Sequence, residues 1–123
     1  MANLTLKYKV LNDKMIVPSD RGSLVIETML AHFQHHQGEQ GFIDVMLGYK
    51  QVVTPTLPFI AGELLWSQPL VLPLEDKPEP EFGRQKIQFN VIADGEPIAS
   101  GSCNVGSLTS HAVKYKKIPL KDH

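Results

Sequence analysis

The feature that most constrains the fold is an apolar run at residues 21–36, RGSLVIETMLAHFQHH, which a single carboxylate, Glu27, interrupts. An ionised carboxylate costs several kcal/mol to bury unless it is paired or its pKa moves. Drawn as a helix, the run has apolar groups on most of its circumference, and Glu27 lies near Gln34 and Ala31, away from the apolar centre. Glu27 therefore either faces water or has a chemical role.

The residues that flank this run favour a helix. Asp20 can act as an N-cap before it, and Gly38 after it can take the left-handed conformation that ends helices. His35 and His36 suit a helix C-terminus, where positive charge is favoured. The pattern predicts one long helix from about residue 22 to about residue 36.

The rest of the chain has the patterns of short strands. Residues 4–11, LTLKYKVL, alternate apolar and polar side chains, which predicts a strand. Residues 42–53, FIDVMLGYKQVV, predict another strand with one apolar face, whereas its opposite face mixes apolar and polar side chains. Residues 54–83 hold most of the nine prolines, which confines strands there to short pieces near 63–66 and 70–72. The acidic stretch EDKPEPE predicts a surface loop.

The clearest local signal is a hairpin near the C-terminus. KIQFNVIA alternates, Asp94 and Gly95 follow as a turn, and EPIASGSCNV returns. Gly101 and Gly106 in the return strand predict a bulge or a close backbone contact. Residues 111–120, HAVKYKKIPL, add one edge strand in this interpretation.

This order predicts a single α+β domain over residues 1–123. One strand is followed by one long helix and then by several antiparallel strands, so we expect a curved antiparallel sheet that wraps a central helix. The length suits one domain with a sizeable core.

Charge and cysteine content limit the classes of partner and the compartment that we expect for this chain. The formal net charge is -1, which provides no global field for nucleic acid or an anionic membrane. Cys103 is the one cysteine, so no internal disulfide forms and a reducing compartment is favoured. With no signal peptide or apolar span visible, we expect a cytoplasmic protein with no nucleic-acid partner, no membrane partner and no cofactor.

In three places, R-G-S-L-V-I-E at residues 21–27, PFIAGELL at 58–65 and ADGEPIASGS at 93–102, the chain resembles the hotdog superfamily, and within it the 3-hydroxyacyl-ACP dehydratases. R-G-S-L-V-I-E at residues 21–27 is similar to the P-G-x-L-x-x-E pattern that opens the helix of those enzymes. PFIAGELL at residues 58–65 is similar to their P-V-x-P-G-D-x-L strand, and ADGEPIASGS to their hairpin. The resemblance implies a hotdog fold, a homodimer, and an acyl thioester of acyl carrier protein or coenzyme A as substrate.

The resemblance also implies site residues. Glu27 takes the position of the proton-transferring carboxylate, and Asp13 stands where a gapless count places the histidine of the family. The expected substrate-binding residues are Gly22, Ser23, Leu24, Pro58 and Phe59. Since that histidine is missing, dehydration by the usual mechanism lacks one partner.

Three functions stay open at this stage. Hydrolysis of the thioester needs only one carboxylate, for which Glu27, Asp20 and Asp13 are candidates, and a backbone N–H to polarise the carbonyl. Dehydration needs a second group beside Glu27. The third possibility is a non-catalytic subunit that binds acyl groups.

Simpler interpretations exist for several of these residues. Asp20 suits an N-cap, and Asp13 suits a turn. The histidines at 32, 35 and 36 lack the spacing of a metal site, so no metal is predicted. Lysines 114, 116 and 117 could meet phosphates of coenzyme A, but a solvated tail is the simpler interpretation.

Overall fold

The computed structural model describes residues 2–11, 22–35, 37–75, 77, 80–108 and 112–123, and these are almost entirely β-structure. The strands are β1 Asn3–Leu11, β2 Ser23–His32, β3 Gln40–Leu47, β4 Lys50–Val53, β5 Leu57–Pro58, β6 Glu63–Trp66, β7 Leu70–Pro73, β8 Lys86–Ala93, β9 Glu96–Asn104, β10 Lys114–Pro119 and β11 Lys121–Asp122. One short helix, α1 Glu81–Arg84, and a 3-10 turn, Val105–Leu108, complete the described elements.

The strands form two antiparallel sheets that pack face to face. The first sheet has the order β10-β1-β2, and both β6 and β7 pair with the far side of β2. The second sheet has the order β11-β9-β8-β3-β4, with β5 also paired to β3. The architecture is therefore a β-sandwich, in which each sheet has one face on the core and one in water.

Alternation along each strand builds the core. Leu4, Leu6 and Tyr8 of β1 are buried, and so are Ile87 and Phe89 of β8. Every second side chain points to the partner sheet because successive side chains of a strand face opposite sides. Each such Leu, Ile or Phe contributes about 1.5–3 kcal/mol when it is fully buried, so the core-facing side chains of the strands stabilise the sandwich.

The predicted helix at residues 22–36 is wrong, and with it the α+β hotdog class. Residues 23–32 form β2, which pairs with β1 on one side and with β6 and β7 on the other. In the described part of the chain, the four residues of α1 are the longest α-helix. No helix there is long and apolar enough to cross a bilayer.

A β-bulge explains why β2 does not show the simple alternation of a strand. Lys7 pairs with Thr28 and Tyr8 pairs with Ile26, so Glu27 is an extra residue with no partner in β1. The bulge changes the phase of the strand: before it, even-numbered side chains face the core, and after it, odd-numbered ones do. The buried residues Leu24, Ile26, Met29, Ala31 and Phe33 consequently have spacings that neither strict alternation nor a helix accounts for alone.

A second difference lies in the strand predicted over residues 42–53. Gly48 and Tyr49 form a turn, so this segment is a hairpin of β3 and β4 instead of one strand. The side chain of Tyr49, in this turn, is fully exposed, whereas Ile43 of β3 is buried. The short strands predicted near 63–66 and 70–72, the Asp94–Gly95 hairpin and the edge strand predicted within 111–120 are confirmed.

The C-terminal segment joins the two sheets. β10 is the edge of the first sheet beside β1, and one residue later β11 pairs with β9 at the edge of the second. Leu120, which lies between them, is buried. A Cβ at Gly101 would lie 2.6 Å from the carbonyl oxygen of Pro119, so the predicted close contact of this glycine is confirmed.

Candidate functional site

Glu27 lies on the outer face of the first sheet, away from the core. Its carboxylate oxygens are 3.7 Å from Lys7 Nζ and 3.7 Å from Lys9 Nζ, and 27% of its side chain is exposed. The two ammonium groups explain how an apolar run can hold this carboxylate, because a half-buried carboxylate between two cations needs no further partner. Asp13 and Asp20, the other predicted carboxylates, lie outside the described residues.

The predicted substrate-binding residues do not form one site. Gly22, Ser23 and Leu24 lie at the start of β2, where Ser23 pairs with Pro73, and Leu24 is buried in the core. They open a strand, so the expected helix N-terminus with free N–H groups is absent at this position.

Pro58 and Phe59 lie at the other end of β2. Phe59 packs edge-on against Phe33, just beyond that end, with ring centroids 6.1 Å apart. Since each strand residue advances the chain by about 3.3 Å, roughly 30 Å separates the two groups along β2. One small substrate cannot contact both ends in the way that the resemblance implied.

The Pro58 end holds a surface concavity, which we call the apolar groove. It encloses about 460 Å³, and its lining is Leu30, Pro58, Ile60, Ala61, Glu63 and Leu65. Leu30 of β2 and Leu65 of β6 are direct cross-strand neighbours on the outer face of the first sheet. The groove therefore combines a strand pair with the loop that leads into β6.

A tight turn shapes one wall of this groove. Ile60 and Glu63 exchange two backbone hydrogen bonds, of 2.9 and 3.0 Å, around Ala61 and Gly62. Both central residues have positive φ, 53° and 77°, as a two-residue hairpin turn requires. A Cβ at Gly62 would lie 2.6 Å from the carbonyl oxygen of Phe33, so the turn can pack this closely only with glycine there.

A histidine–carboxylate pair lies at the rim of the groove. His32 Nδ1 is 3.0 Å from Glu63 Oε2, and both side chains are a little over two-fifths exposed. The carboxylate can only accept, so Nδ1 carries the proton and donates. The other ring nitrogen, Nε2, is left for a ligand or water.

Exposed apolar side chains occur both in the groove and elsewhere on the same face of the sheet. Ile60 is 69% exposed, Leu65 54% and Val71 52%. Val71 pairs with Val25 as Leu65 pairs with Leu30, so both pairs lie on the outer face of the first sheet. An isolated exposed apolar residue such as Val71 is ordinary, but Ile60 and Leu65, which line one groove, mark a contact surface.

The other predicted reactive groups do not join this groove. In the described residues, no three His, Cys, Asp or Glu side chains lie together as metal ligands would. His35 is exposed in the loop after β2, and His36 lies outside the described residues. Burial raises the pKa of the Cys103 thiol, while Lys116 and a hydrogen bond from Ser107 act to lower it.

The C-terminal lysines lie on β10, so the interpretation as a solvated tail is wrong. Lys114 and Lys117 are exposed at the edge of the first sheet, and Lys116 is half-buried. Lysines on an edge strand discourage pairing with other chains.

Sequence reasoning found part of the groove for a different reason. The motif PFIAGELL drew attention to Pro58, Glu63 and Leu65, which do lie together. The motif does not include His32, and the predicted helix over residues 22–36 gave no reason to place His32 beside Glu63. The Ala61–Gly62 pair between two apolar stretches was the available signal for the turn.

The fold and this surface define a class of protein: an antiparallel β-sandwich with an open apolar groove at one end of its first sheet. The comparisons add no relative to that description. Neither family models, nor curated proteins, nor solved structures include a match to this chain.

Proposed function

We propose that the protein is a non-catalytic binding domain whose apolar groove takes apolar side chains of a partner protein. The observation that carries the proposal is the pair of exposed apolar side chains Ile60 and Leu65, which line the groove together. Keeping such groups in water is unfavourable, and a partner that covers them gains the free energy of their burial.

The openness of the groove favours a protein over a free acyl chain. An acyl chain gains most when an enclosed pocket covers it on all sides, as ligand pockets usually do. Here the walls are one sheet face and one turn, so the far side of a bound group stays uncovered. A partner protein supplies its own cover over Leu30 and Leu65, which is the arrangement of a protein interface with an apolar centre.

Polar and charged groups surround the apolar lining of the proposed interface. The pair of His32 and Glu63 lies beside the apolar lining, with His32 Nε2 free to hydrogen-bond a partner. Lys7 and Lys9, partly neutralised by Glu27, lie on the same face. An apolar centre with a charged rim matches the usual anatomy of specific interfaces.

Acyl-thioester chemistry stays an untested prediction. Its structural premise was a helix that carries Glu27, and residues 23–32 form a strand instead. Acyl carrier protein, coenzyme A and a second copy of the chain are accordingly outcomes for the binding experiments to decide. A cytoplasmic location belongs to the proposal too, supported by the free thiol of Cys103.

The test uses short random peptides displayed on phage, selected on the folded full chain. The best peptides are then titrated into isotope-labelled protein, and we expect amide shifts centred on Leu30, Ala61 and Leu65. Leu65→Glu should abolish this binding, because it places a carboxylate in the apolar centre. The matched control is Val53→Glu, which changes a 47% exposed valine on the outer face of the other sheet.

Two results would contradict the proposal. One is peptides that map elsewhere or bind the Leu65→Glu variant unchanged. The other is decanoyl-coenzyme A that shifts the groove residues while no selected peptide does, which would favour acyl binding. Sedimentation of the unlabelled chain at the same concentrations reports whether a second copy competes for the groove.

A further inference from the structure

A second concavity lies on the opposite side of the sandwich, where β8, β9 and β11 form the edge of the second sheet. It encloses about 230 Å³, with a polar lining of Lys86, Gln88, Ser100, Ser102 and Lys121, and it is closed by Gly101 and Pro119. We call it the lysine pocket. It shares no lining residue with the apolar groove.

The end of β11 creates this pocket. β11 pairs with β9 at Ala99 and Ser100 only, so β9 continues past it towards Asn104 without that neighbour. At the same point the crossing segment packs directly on β9, since a Cβ at Gly101 would lie 2.6 Å from the carbonyl oxygen of Pro119. The notch between β11 and the rest of β9 is therefore fixed by backbone packing.

The pocket carries positive charge without a compensating acid. Lys86 comes from β8 and Lys121 from β11, and the described residues of the lining include no carboxylate. Within the described residues, neither ammonium group has an ion-pair partner. This is notable in a chain with 13 acidic and 12 basic residues, where Lys7 and Lys9 share Glu27.

The acidic group on the same face is engaged elsewhere. Asp44 lies in one cross-strand row with Asn90 and Ser100. Its oxygens accept hydrogen bonds from Gln51 at 2.9 Å and from Asn90 at 3.5 Å. The side-chain amide nitrogen of Gln88 donates to the Asn90 side chain at 3.2 Å. Of the donors in the pocket, the two lysines and two serines have no hydrogen-bond acceptor among the residues that the structure describes.

We propose that the lysine pocket binds the phosphate group of a phosphate monoester. Lysine binds phosphate as a point charge, and two lysines on different strands balance a dianion. The hydroxyls of Ser100 and Ser102 can donate to further phosphate oxygens. A single carboxylate would leave part of this donor set unused, which is why the dianionic tetrahedral group fits better.

The test is a titration of the isotope-labelled full chain with O-phosphoserine, with inorganic phosphate and with serine, at constant ionic strength. We expect saturable amide shifts at Ser100, Gly101 and Ser102 with the two phosphate compounds and none with serine. The double variant Lys86→Gln/Lys121→Gln should weaken binding by at least about tenfold, since charge-assisted hydrogen bonds are lost.

The matched control is Lys114→Gln/Lys117→Gln, which removes the same charge from the other sheet and should leave the affinity unchanged. Ser102→Ala, which keeps the net charge, should weaken binding by a smaller factor. Unchanged affinity in the Lys86/Lys121 variant, or shifts spread evenly over all lysine-bearing strands, would overturn the proposal.

Vesicles distinguish the source of the phosphate. Phosphatidylcholine vesicles with and without phosphatidic acid are sedimented with the wild-type chain and with the Lys86/Lys121 variant. Binding of O-phosphoserine together with lysine-dependent binding of phosphatidic acid supports a lipid headgroup, and binding of O-phosphoserine alone supports a soluble monoester. If neither binds, the pocket is not a phosphate site.

Discussion

At the scale of single residues, Glu27 shows that a residue can fit a sequence motif while its structural context differs from the one that the motif predicts. The spacing R-G-S-L-V-I-E led to the prediction of a catalytic carboxylate at Glu27, whereas in the structure Glu27 is the extra residue of a bulge. Its contacts to Lys7 and Lys9 are those of a partly exposed ion-pair cluster. Such pairs contribute about 0–1 kcal/mol, so the role of Glu27 in stability is small.

Two glycines with similar backbone angles should respond very differently to alanine. Gly62 and Gly95 have φ of 77° and 84°, so alanine is strained at both, by about 1–2 kcal/mol. A Cβ at Gly95 meets nothing within 4 Å, whereas at Gly62 it would lie 2.6 Å from the Phe33 carbonyl oxygen. We expect Gly62→Ala to lower the free energy of unfolding by roughly 2 kcal/mol more than Gly95→Ala.

Urea unfolding of both variants, followed by the fluorescence of Trp66, measures this difference. Equal losses would show that the backbone at Phe33 moves away from Gly62 at little cost. A larger loss in Gly95→Ala would contradict the packing described for the turn beside the apolar groove.

At the scale of elements, alternation predicted several strands correctly but merged the hairpin of β3 and β4 into one strand. β1, the β8–β9 hairpin and β10 follow from alternation and from the Asp94–Gly95 turn, since local patterning there agrees with the final structure. β2 was not predictable in this way. A single extra residue shifts the phase of its apolar side chains, and the sheet partners that reveal the shift are distant in sequence.

The candidate sites were less predictable than the strands. The apolar groove joins residues of β2 to the loop before β6, and the lysine pocket joins three strands from different parts of the chain. Single-sequence patterns report the face of a strand on which a residue lies. They do not report which strands become neighbours, so Lys86 and Lys121 could not be placed together in advance.

The bulge makes a specific prediction about single-residue deletions in β2. Removing Glu27 leaves strict alternation, so Leu24, Ile26, Met29 and Ala31 all keep facing the core. Removing Leu30 keeps the bulge but turns Ala31 to the outer face and brings His32 onto the core side. We expect the Glu27 deletion to fold with a modest loss of stability and the Leu30 deletion not to fold.

Circular dichroism and the dispersion of amide resonances distinguish these outcomes. A folded Leu30 deletion with native dispersion would show that β2 can slip its register freely. An unfolded Glu27 deletion would mean that the bend at the bulge, rather than the apolar phase alone, is essential for pairing with β6 and β7.

At the scale of the whole molecule, the two sheets depend on one short segment. Residues 114–122 provide the edge of the first sheet through β10 and the edge of the second through β11, and Ile118 and Leu120 are buried between them. We therefore expect a chain of residues 1–113 to lack cooperative unfolding. A chain of residues 1–120, which loses β11 alone, should remain folded.

Thermal unfolding of both truncations measures this dependence. A cooperative transition in the 1–113 chain would show that the remaining strands form a complete core without Ile118 and Leu120. The 1–120 chain also removes Lys121, so it serves as a further variant for phosphate titration of the lysine pocket.

The crossing from β10 to β11 has a consequence for biosynthesis. While the chain is being translated, most of both sheets leaves the ribosome before the segment that closes either of them. Until then β1 and β9 each have an unpaired edge, and unpaired edges are sites at which nascent chains aggregate. Since residues 114–122 supply the last strand of both sheets, folding is complete only when they emerge. The unpaired edges stay accessible to chaperones until that moment.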